Sequence, residues 1–370
     1  MGYLDSVVSG GAAPGAVLGV THDGQRFVYG TGRLGQTDAT RPGACTIYDL
    51  ASLTKVIGLT TATMLAVDEG RIDLDAPVQR YVAEFMGSGK DQVTIRLLLA
   101  HAGGLAGWRP LYRQVSTRAE AFTFADTTSL DSSPAARDAY SDLGAIVLTQ
   151  VLETIYGQRI DSLLEQRIFR PLGMTSVRYL PPPSWKDRVA PTELDPWRGR
   201  VLRGEVHDEN AALMDGVSGH AGLFGSVEDL LTFSEWMLEQ AAGQPDGGAG
   251  GQVVSWPGGH SDDIQPTTRP SIRRSNVQEF IRRQNIVSGS SRALGWDTPS
   301  PGGSAGTLIS ASSFGHTGFT GTSLWIDPEH RLAIVLLSNR IHPSRENPRW
   351  APVRAAVADL VMTTLFEDVR

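Results

Sequence analysis

Short runs of apolar and β-branched residues lie near both ends of the chain. Residues 15–20 and 26–29 form two such runs around a turn that contains Asp23 and Gly24, a pair typical of β-hairpins. Three further runs, separated by turns, lie near the C-terminus: Leu308–Ile309, Ser323–Ile326 and Leu332–Leu337. The pattern predicts β-strands at both ends of the sequence.

Between these runs, apolar positions recur at the three- and four-residue spacings typical of amphipathic helices. The clearest example extends from Leu53 to Glu69 and is followed by Gly70, a residue type that commonly ends a helix. Apart from one short helical candidate, residues 241–305 are rich in Gly, Pro, Ser and Arg, which predicts long loops. The spacing predicts further helices at Leu143–Ile155, Val227–Leu238, Asn276–Gln284 and Arg354–Phe366.

Strands from both ends with helices between them predict an α/β (α+β) fold. We expect one antiparallel sheet built from both chain termini and flanked by terminal helices, with an inserted, mostly helical region. Residues 1–70 and 215–370 would form the sheet domain, residues 71–214 the helical domain, and the active site would lie between them.

Composition narrows the possible partners. The net charge of -7 and the pI near 5.6 disfavour nucleic acid as a partner, and no run approaches the roughly 20 apolar residues of a membrane span.

The N-terminus lacks the basic and apolar segments of a signal peptide, so we expect a cytoplasmic protein, or an exported one if the numbering begins after a removed signal. The single cysteine, Cys45, excludes an internal disulfide framework. The sequence leaves the oligomeric state open.

Ser52 and Lys55 form the first candidate catalytic pair. Residues at i and i+3 lie on one face of a helix, so the Lys55 ammonium can reach the Ser52 hydroxyl. A desolvated lysine can act as a base if burial and a neighbouring cation lower its pKa. Only three of the 33 basic residues are lysines, and arginine could not replace Lys55 in this role.

Two further groups of residues could complete this site. Tyr140 precedes a predicted helix and could carry a proton, although it could also simply pack while Ser141 or Asp142 caps the helix. His316 and Thr317 lie in a predicted strand and could bind a substrate carboxylate, unless they only form a glycine-rich turn with Gly318. The backbone N–H of Phe319 could form an oxyanion hole with that of Ser52.

The order Ser-x-x-Lys, Tyr-Ser-Asp, His-Thr-Gly resembles the penicillin-recognising serine enzymes: class C β-lactamases, DD-peptidases and β-lactamase-like carboxylesterases. The resemblance implies a nucleophile at Ser52, its base at Lys55 and a proton shuttle at Tyr140. It also implies that His316 and Thr317 line the substrate edge strand, and that Ser52 and Phe319 supply the oxyanion hole. Similar segments span most of the chain: Ile47–Lys55, Leu97–Leu105, His207–Leu230 and Gly315–Arg340.

Two residues depart from the family pattern. Asp142 stands where the family usually has asparagine, and His316 stands where lysine is commoner. Because Asp142 offers no amide donor and a histidine is largely neutral above pH 6.5, both changes favour an esterase or amidase acting on small esters, amides or peptides. A DD-peptidase or weak β-lactamase, a non-catalytic binding module on the same scaffold, and a metal-dependent hydrolase remain alternatives.

The sequence predicts neither a cofactor nor a metal. Gly30 to Gly35 matches a dinucleotide-binding pattern, but a loop follows it where the pattern requires a helix. His101, His207, Asp208 and His220 do not have the spacing of a known zinc site, and a structural role is expected for the histidines.

Overall fold

The computed structural model describes residues 1–243 and 269–366, so part of the predicted loop region 241–305 lies outside the described residues. A π-helical segment, Lys55–Thr60, leads directly into the second helix. The helices are α1 (Gly2–Ser9), α2 (Thr61–Asp68), α3 (Ile95–Leu99), α4 (Arg118–Thr127), α5 (Asp142–Tyr156), α6 (Ile160–Leu164), α7 (Arg170–Leu172), α8 (Glu209–Leu213), α9 (Val227–Ala242), α10 (Arg274–Ile281) and α11 (Ala351–Phe366). The strands are β1 (Gly15–His22), β2 (Gln25–Gly32), β3 (Tyr48–Asp49), β4 (Arg178–Tyr179), β5 (Leu194–Asp195), β6 (Arg200–Val201), β7 (Leu223–Gly225), β8 (Phe314–Thr317), β9 (Ser323–Asp327) and β10 (Leu332–Ser338).

The central sheet joins the two ends of the chain, which confirms the predicted fold. Its five strands are antiparallel in the order β2-β1-β10-β9-β8, with Ala16 opposite Ser338. The predicted hairpin connects β1 and β2. Asp23 and Gly24 both have positive φ there (49° and 78°), as a two-residue hairpin turn requires.

Side-chain alternation gives the sheet two buried faces. In β10, Leu332, Ile334 and Leu336 pack in one cluster with apolar residues of α1 and α11. Ala333, Val335 and Leu337 point to the opposite face, where they join the larger core that includes α9. Successive residues of a strand point to opposite sides, so continuous apolar runs are expected where helices cover both faces.

The predicted helices at Leu53–Glu69 and Leu143–Ile155 are confirmed, and they carry two parts of the site. The first continues through the π-helical segment into α2, and every residue from Leu53 to Ala66 is buried. The second is α5, whose first turn is capped by Ser141: the Ser141 Oγ accepts a hydrogen bond from the Gly144 N–H at 3.0 Å. The division into domains at residues 70 and 214 stays a prediction, although β4 pairs with β7 across the second boundary.

The prediction of a strand at Leu308–Ile309 is wrong. The Asp359 carboxylate of α11 accepts hydrogen bonds from the N–H groups of Thr307 (2.6 Å) and Leu308 (3.0 Å), so these amides are not available to a neighbouring strand. Within the described residues, no helix is long and apolar enough to cross a membrane.

Candidate active site

The turn after β3 places Ser52 at the start of a helix. The preceding residue, Ala51, has a φ of 48°, which is uncommon for a residue with a side chain. The buried Asp49 carboxylate holds this turn by accepting the Ala51 N–H at 2.8 Å. One helical turn beyond Ser52, the Lys55 Nζ lies 3.2 Å from the Ser52 Oγ, so the predicted proximity of this pair is confirmed.

The Lys55 side chain is almost fully buried, with 3% of its surface exposed. Its Nζ lies 3.2 Å from the Ser52 Oγ, 2.9 Å from the His220 carbonyl oxygen and 2.7 Å from the Asp142 Oδ1. The Ser52 Oγ and the His220 carbonyl oxygen accept hydrogen bonds from the Lys55 ammonium, and the Asp142 carboxylate forms an ion pair with it. The geometry is therefore that of a charged lysine.

The expectation that Lys55 has a lowered pKa is wrong. Burial alone lowers the pKa of Lys55, but the Asp142 carboxylate more than compensates, and the pKa lies above the ordinary value for lysine. The sequence interpretation assumed a neighbouring cation, whereas the nearest charged group is an anion. Asp142 thus contacts Lys55 directly, in addition to beginning helix α5.

Tyr140 lies beside this ion pair, at the end of the segment that leads into α5. Its ring centre is 4.8 Å from the Lys55 Nζ and 4.6 Å from the ring of His101. Burial raises the pKa of Tyr140, and the nearby Lys55 charge opposes this only in part. The Tyr140 hydroxyl is buried close to Lys55 and Ser52, and Tyr140 also lines the cleft, where its hydroxyl can bond a substrate atom.

Strand β8 forms the edge of the sheet next to Ser52, as predicted, and carries His316 and Thr317. The His316 Nδ1 donates a hydrogen bond to the Thr317 carbonyl oxygen at 2.7 Å. Burial, together with the charges of Lys55 and Arg292, lowers the pKa of His316 to about 3. His316 is therefore neutral at physiological pH, in line with the sequence expectation of a largely neutral histidine, and its ring offers no positive charge to a substrate carboxylate.

The turn after β8 packs directly on the turn that carries Ser52. The hydroxyl of Thr320 donates to the Asp49 carbonyl oxygen at 2.7 Å, and that of Thr322 donates to the Leu50 carbonyl oxygen at 3.1 Å. A Cβ atom on Gly318 would lie 2.6 Å from the same Leu50 oxygen, so this contact requires glycine.

This packing brings two backbone donors to the site. Among the described residues, the N–H groups of Ser52 and Phe319 have no hydrogen-bond acceptor. Two free N–H groups on adjoining turns, one of them belonging to the serine itself, are the elements of an oxyanion hole.

A cleft of about 360 Å³ opens in front of Ser52. Six of the eight predicted site residues line it; of the other two, Lys55 contacts Ser52 and Asp142 contacts Lys55. The six are Ser52, Tyr140, His316, Thr317, Gly318 and Phe319.

Three arginines line the same cleft, and sequence reasoning missed all three. Arg354 donates to the Gly318 carbonyl oxygen at 2.7 Å, while its Nε has no partner among the described residues. Burial and the charge of Arg340 lower the pKa of Arg354 to about 10, which still leaves it cationic at neutral pH. The arginines of the cleft are Arg354, Arg340 and Arg292, and Arg292 is 3.6 Å from Asp138 and 3.9 Å from Asp297. No signal in the sequence separates these three from the many other arginines.

The remaining histidines near the site have structural partners. The His101 Nδ1 accepts the Ser141 N–H at 3.1 Å, and His220 lies between Ser218 (2.7 Å) and Asp208 (2.9 Å). His207 contacts Glu193 at 2.8 Å. In the part of the chain that the structure describes, no group of three or more His, Cys, Asp or Glu side chains is arranged to hold a metal ion.

Comparison with known families decides the relationship that the motifs suggested. A model of the beta-lactamase family matches residues 4–359 of the chain. The chain belongs to the β-lactamase family. The resemblance stated from the motifs is therefore confirmed.

Individual relatives agree with this membership. A protein of Escherichia coli (strain K12), provisionally named D-alanyl-D-alanine carboxypeptidase, is 31% identical to this β-lactamase-family chain over 343 residues, which cover 83% of the chain and 72% of that protein. The structure of a beta-lactamase from Sulfitobacter sp. EE-36 has a TM-score of 0.71 at 20% identity and covers 98% of the chain and 96% of its own. The structure of EstCE1, a hydrolase with promiscuous acyltransferase activity, has a TM-score of 0.65 at 19% identity. It covers 96% of the chain and 97% of its own length. At these identities the two structures support the fold alone.

Proposed function

We propose that this serine hydrolase cleaves ester or amide bonds through an acyl-enzyme formed on Ser52. The observation that carries the proposal is the Ser52 hydroxyl at the base of the cleft, 3.2 Å from the Lys55 Nζ and next to two free backbone N–H groups. Serine needs both a partner that takes its proton and donors that stabilise the oxyanion.

In the proposed reaction, the Ser52 Oγ attacks the substrate carbonyl carbon while its proton moves to the Lys55 side. The N–H groups of Ser52 and Phe319 bind the resulting oxyanion, an interaction worth about 2.7–4 kcal/mol for each donor. The Tyr140 hydroxyl donates a proton to the leaving group as the bond breaks. Water then attacks the acyl-serine by the same route and regenerates Ser52.

We further propose that preferred substrates carry a carboxylate close to the bond that is cleaved. Arg354 and Arg292 supply the positive charge that the neutral His316 lacks, and the Nε atom of each is buried without a hydrogen-bond partner among the described residues, although that of Arg292 lies 3.6 Å from the Asp138 carboxylate. Thr317 lies on the same wall of the cleft and offers a hydroxyl. The name of the 31%-identical relative agrees with this class, since a peptide ending in D-alanyl-D-alanine carries a terminal carboxylate.

The test compares wild type with Ser52→Ala on three substrates: p-nitrophenyl butyrate, a chromogenic cephalosporin and a peptide ending in D-alanyl-D-alanine. Loss of all turnover in Ser52→Ala is expected, with the peptide preferred over its C-terminal amide. Ser312→Ala, at an exposed serine in the loop before β8, is the control and should retain full activity.

The alternatives give different results in the same assays. Wild-type turnover in Ser52→Ala would rule out the acyl-serine mechanism, and inhibition by a strong chelator would favour a metal-dependent hydrolase. Failure of a serine-directed fluorophosphonate to label the wild type would favour a binding module. Turnover of p-nitrophenyl butyrate without a preference for the carboxylate peptide would keep the serine mechanism and assign an esterase.

A further inference from the structure

We propose that Asp142 is the final acceptor of the Ser52 proton, which reaches it through Lys55. The inference rests on the proposed function, because it concerns the acylation of Ser52. It assigns to Asp142 a role that asparagine, the usual family residue here, cannot perform, since an amide cannot take up a proton at neutral pH. Asp142 acts through Lys55 and does not itself contact the reacting atoms.

Lys55 cannot accept the proton of Ser52 while it remains an ammonium. Its Nζ lies 2.7 Å from the Asp142 Oδ1 and 3.2 Å from the Ser52 Oγ, and the anion holds it as an ammonium, which has no lone pair to offer the serine. Lys55 must release one proton before or while it accepts the proton of Ser52. The shortest of the three contacts is the 2.7 Å contact to Asp142, which is the contact along which a proton can leave.

The other groups around Lys55 are poorer acceptors. A backbone carbonyl such as that of His220 is a very weak base, and Tyr140 is held in its neutral form because burial raises its pKa. His101 and His316 face the pair from the other walls, and burial lowers the pKa of both. Arg292 contributes only positive charge. Asp142 is thus the one anionic carboxylate in contact with Lys55 among the described residues.

The proposed relay balances at each step. The Ser52 Oγ–H bond breaks as the Oγ–carbon bond forms, the proton passes to the Lys55 Nζ, and a different Nζ–H proton passes to the Asp142 Oδ1. Lys55 stays an ammonium, Asp142 becomes a carboxylic acid and the carbonyl oxygen becomes the oxyanion. When the leaving group departs, it takes a proton from Tyr140, which regains one from Lys55, and Lys55 recovers the proton held on Asp142.

The test measures the pre-steady-state acylation of Ser52 by an activated ester in wild type, Asp142→Asn and Asp142→Glu. We expect Asp142→Asn to slow acylation by about 100-fold, at the lower end of the range for a general base, with little change in KM. In Asp142→Asn the anion that raises the pKa of Lys55 is gone while burial still lowers that pKa, so the rate should rise toward alkaline pH, where Lys55 loses its proton to solvent.

Two further measurements separate a relay from a structural role. Two protons move together in wild-type acylation, so a plot of its rate against the deuterium fraction of the solvent should be curved. The same plot for Asp142→Asn, in which one proton moves, should be a straight line. Asp142→Glu restores a carboxylate and should regain part of the rate and lose the rise toward alkaline pH, which guards against misfolding of the asparagine variant.

The outcomes distinguish the inference from the proposed function. If a fluorophosphonate labels wild type but not Ser52→Ala, the serine mechanism stands whatever Asp142 does. Acylation by Asp142→Asn within about threefold of wild type, with an unchanged pH profile, would overturn the relay and leave the proposed function intact.

Discussion

At the scale of single residues, charge and burial act against each other in the cleft. Burial lowers the pKa of His316 to about 3 and so removes its charge, whereas Lys55 keeps its charge because an anion lies 2.7 Å away. Arg354 is also largely buried but remains cationic, because an arginine pKa of about 10 is still far above neutrality. The positive charge available to a substrate therefore comes from arginine and not from His316.

This distribution of charge predicts the behaviour of Arg354→Gln. A buried hydrogen bond to a charged group contributes about 1.5–3 kcal/mol, so kcat/KM for a carboxylate peptide should fall by roughly 10- to 150-fold. The same peptide with a C-terminal amide serves as the control, because Arg354 also supports the turn at Gly318 and any general damage would affect both peptides. Equal losses for the two peptides would show that Arg354 does not bind the carboxylate.

The sequence predicted contacts within one element well and contacts between elements poorly. The proximity of Ser52 and Lys55 follows from the helical repeat, and the structure confirms it. The sign of the Lys55 pKa depends on Asp142, which lies far away in sequence and begins another helix, so local periodicity does not indicate it. The three arginines of the cleft were missed for the same reason.

At the scale of elements, the site depends on the contact between the turns that follow β3 and β8. Gly318 lies where a side chain would meet the Leu50 carbonyl oxygen at 2.6 Å and the Thr322 Oγ1 at 2.1 Å. The hydroxyls of Thr320 and Thr322 fix the same two turns to each other. Because the Phe319 N–H follows Gly318, its position relative to Ser52 is set by this contact.

Gly318→Ala should therefore separate the two turns and move the Phe319 N–H away from the oxyanion. Loss of one oxyanion-hole donor typically reduces kcat by about 10²–10³. The control is Gly43→Ala, since a Cβ there meets no atom within 4 Å. Steady-state kinetics, with circular dichroism to confirm folding, measure the effect. A folded Gly318→Ala enzyme with wild-type kcat would contradict the assignment of the Phe319 N–H.

Whether a predicted strand forms depends on the hydrogen-bond partners of its backbone amides. The runs that became β1, β9 and β10 have neighbours on both sides in the sheet, and their amides are paired by backbone carbonyls. Leu308–Ile309 has the same strand-like composition, but Asp359 takes the amides of Thr307 and Leu308. Composition indicates which residues can form a strand, whereas pairing depends on which partner the fold brings to them.

At the scale of the whole molecule, a partly buried charged network joins distant segments of the chain. The Glu193 carboxylate contacts His207 at 2.8 Å and Arg345 at 2.6 Å, and Arg345 also contacts Glu209 at 2.8 Å. The ring of His207 stacks on that of Phe319, with 5.7 Å between ring centres. The network thus ties three distant segments to the residue whose N–H faces the oxyanion.

The pKa of Glu193 makes the stability of this network depend on pH. Burial raises the pKa of this carboxyl, but hydrogen bonds from His207 and Arg345 overcome burial and lower it to about 2. Because the folded-state pKa lies below the ordinary value of 4.5, the stabilisation is fully present above about pH 4.5 and is lost as the pH falls through about 2.

Glu193→Gln should accordingly lower the free energy of unfolding by about 2 kcal/mol at pH 7. This is less than the full pKa shift implies, because Arg345 is partly exposed and water screens its interaction with Glu193. The deficit relative to wild type should shrink steadily between pH 4.5 and pH 2, because the wild type then loses the same interaction. Urea unfolding across this range measures it, with the nearby exposed Glu346→Gln as control. A deficit as large at pH 2 as at pH 7 would show that Glu193 stabilises the molecule by packing and not by its charge.

The same variant tests whether the network positions Phe319. If it does, the kcat of Glu193→Gln should fall at pH 7 while KM changes little, because the oxyanion forms only during the reaction.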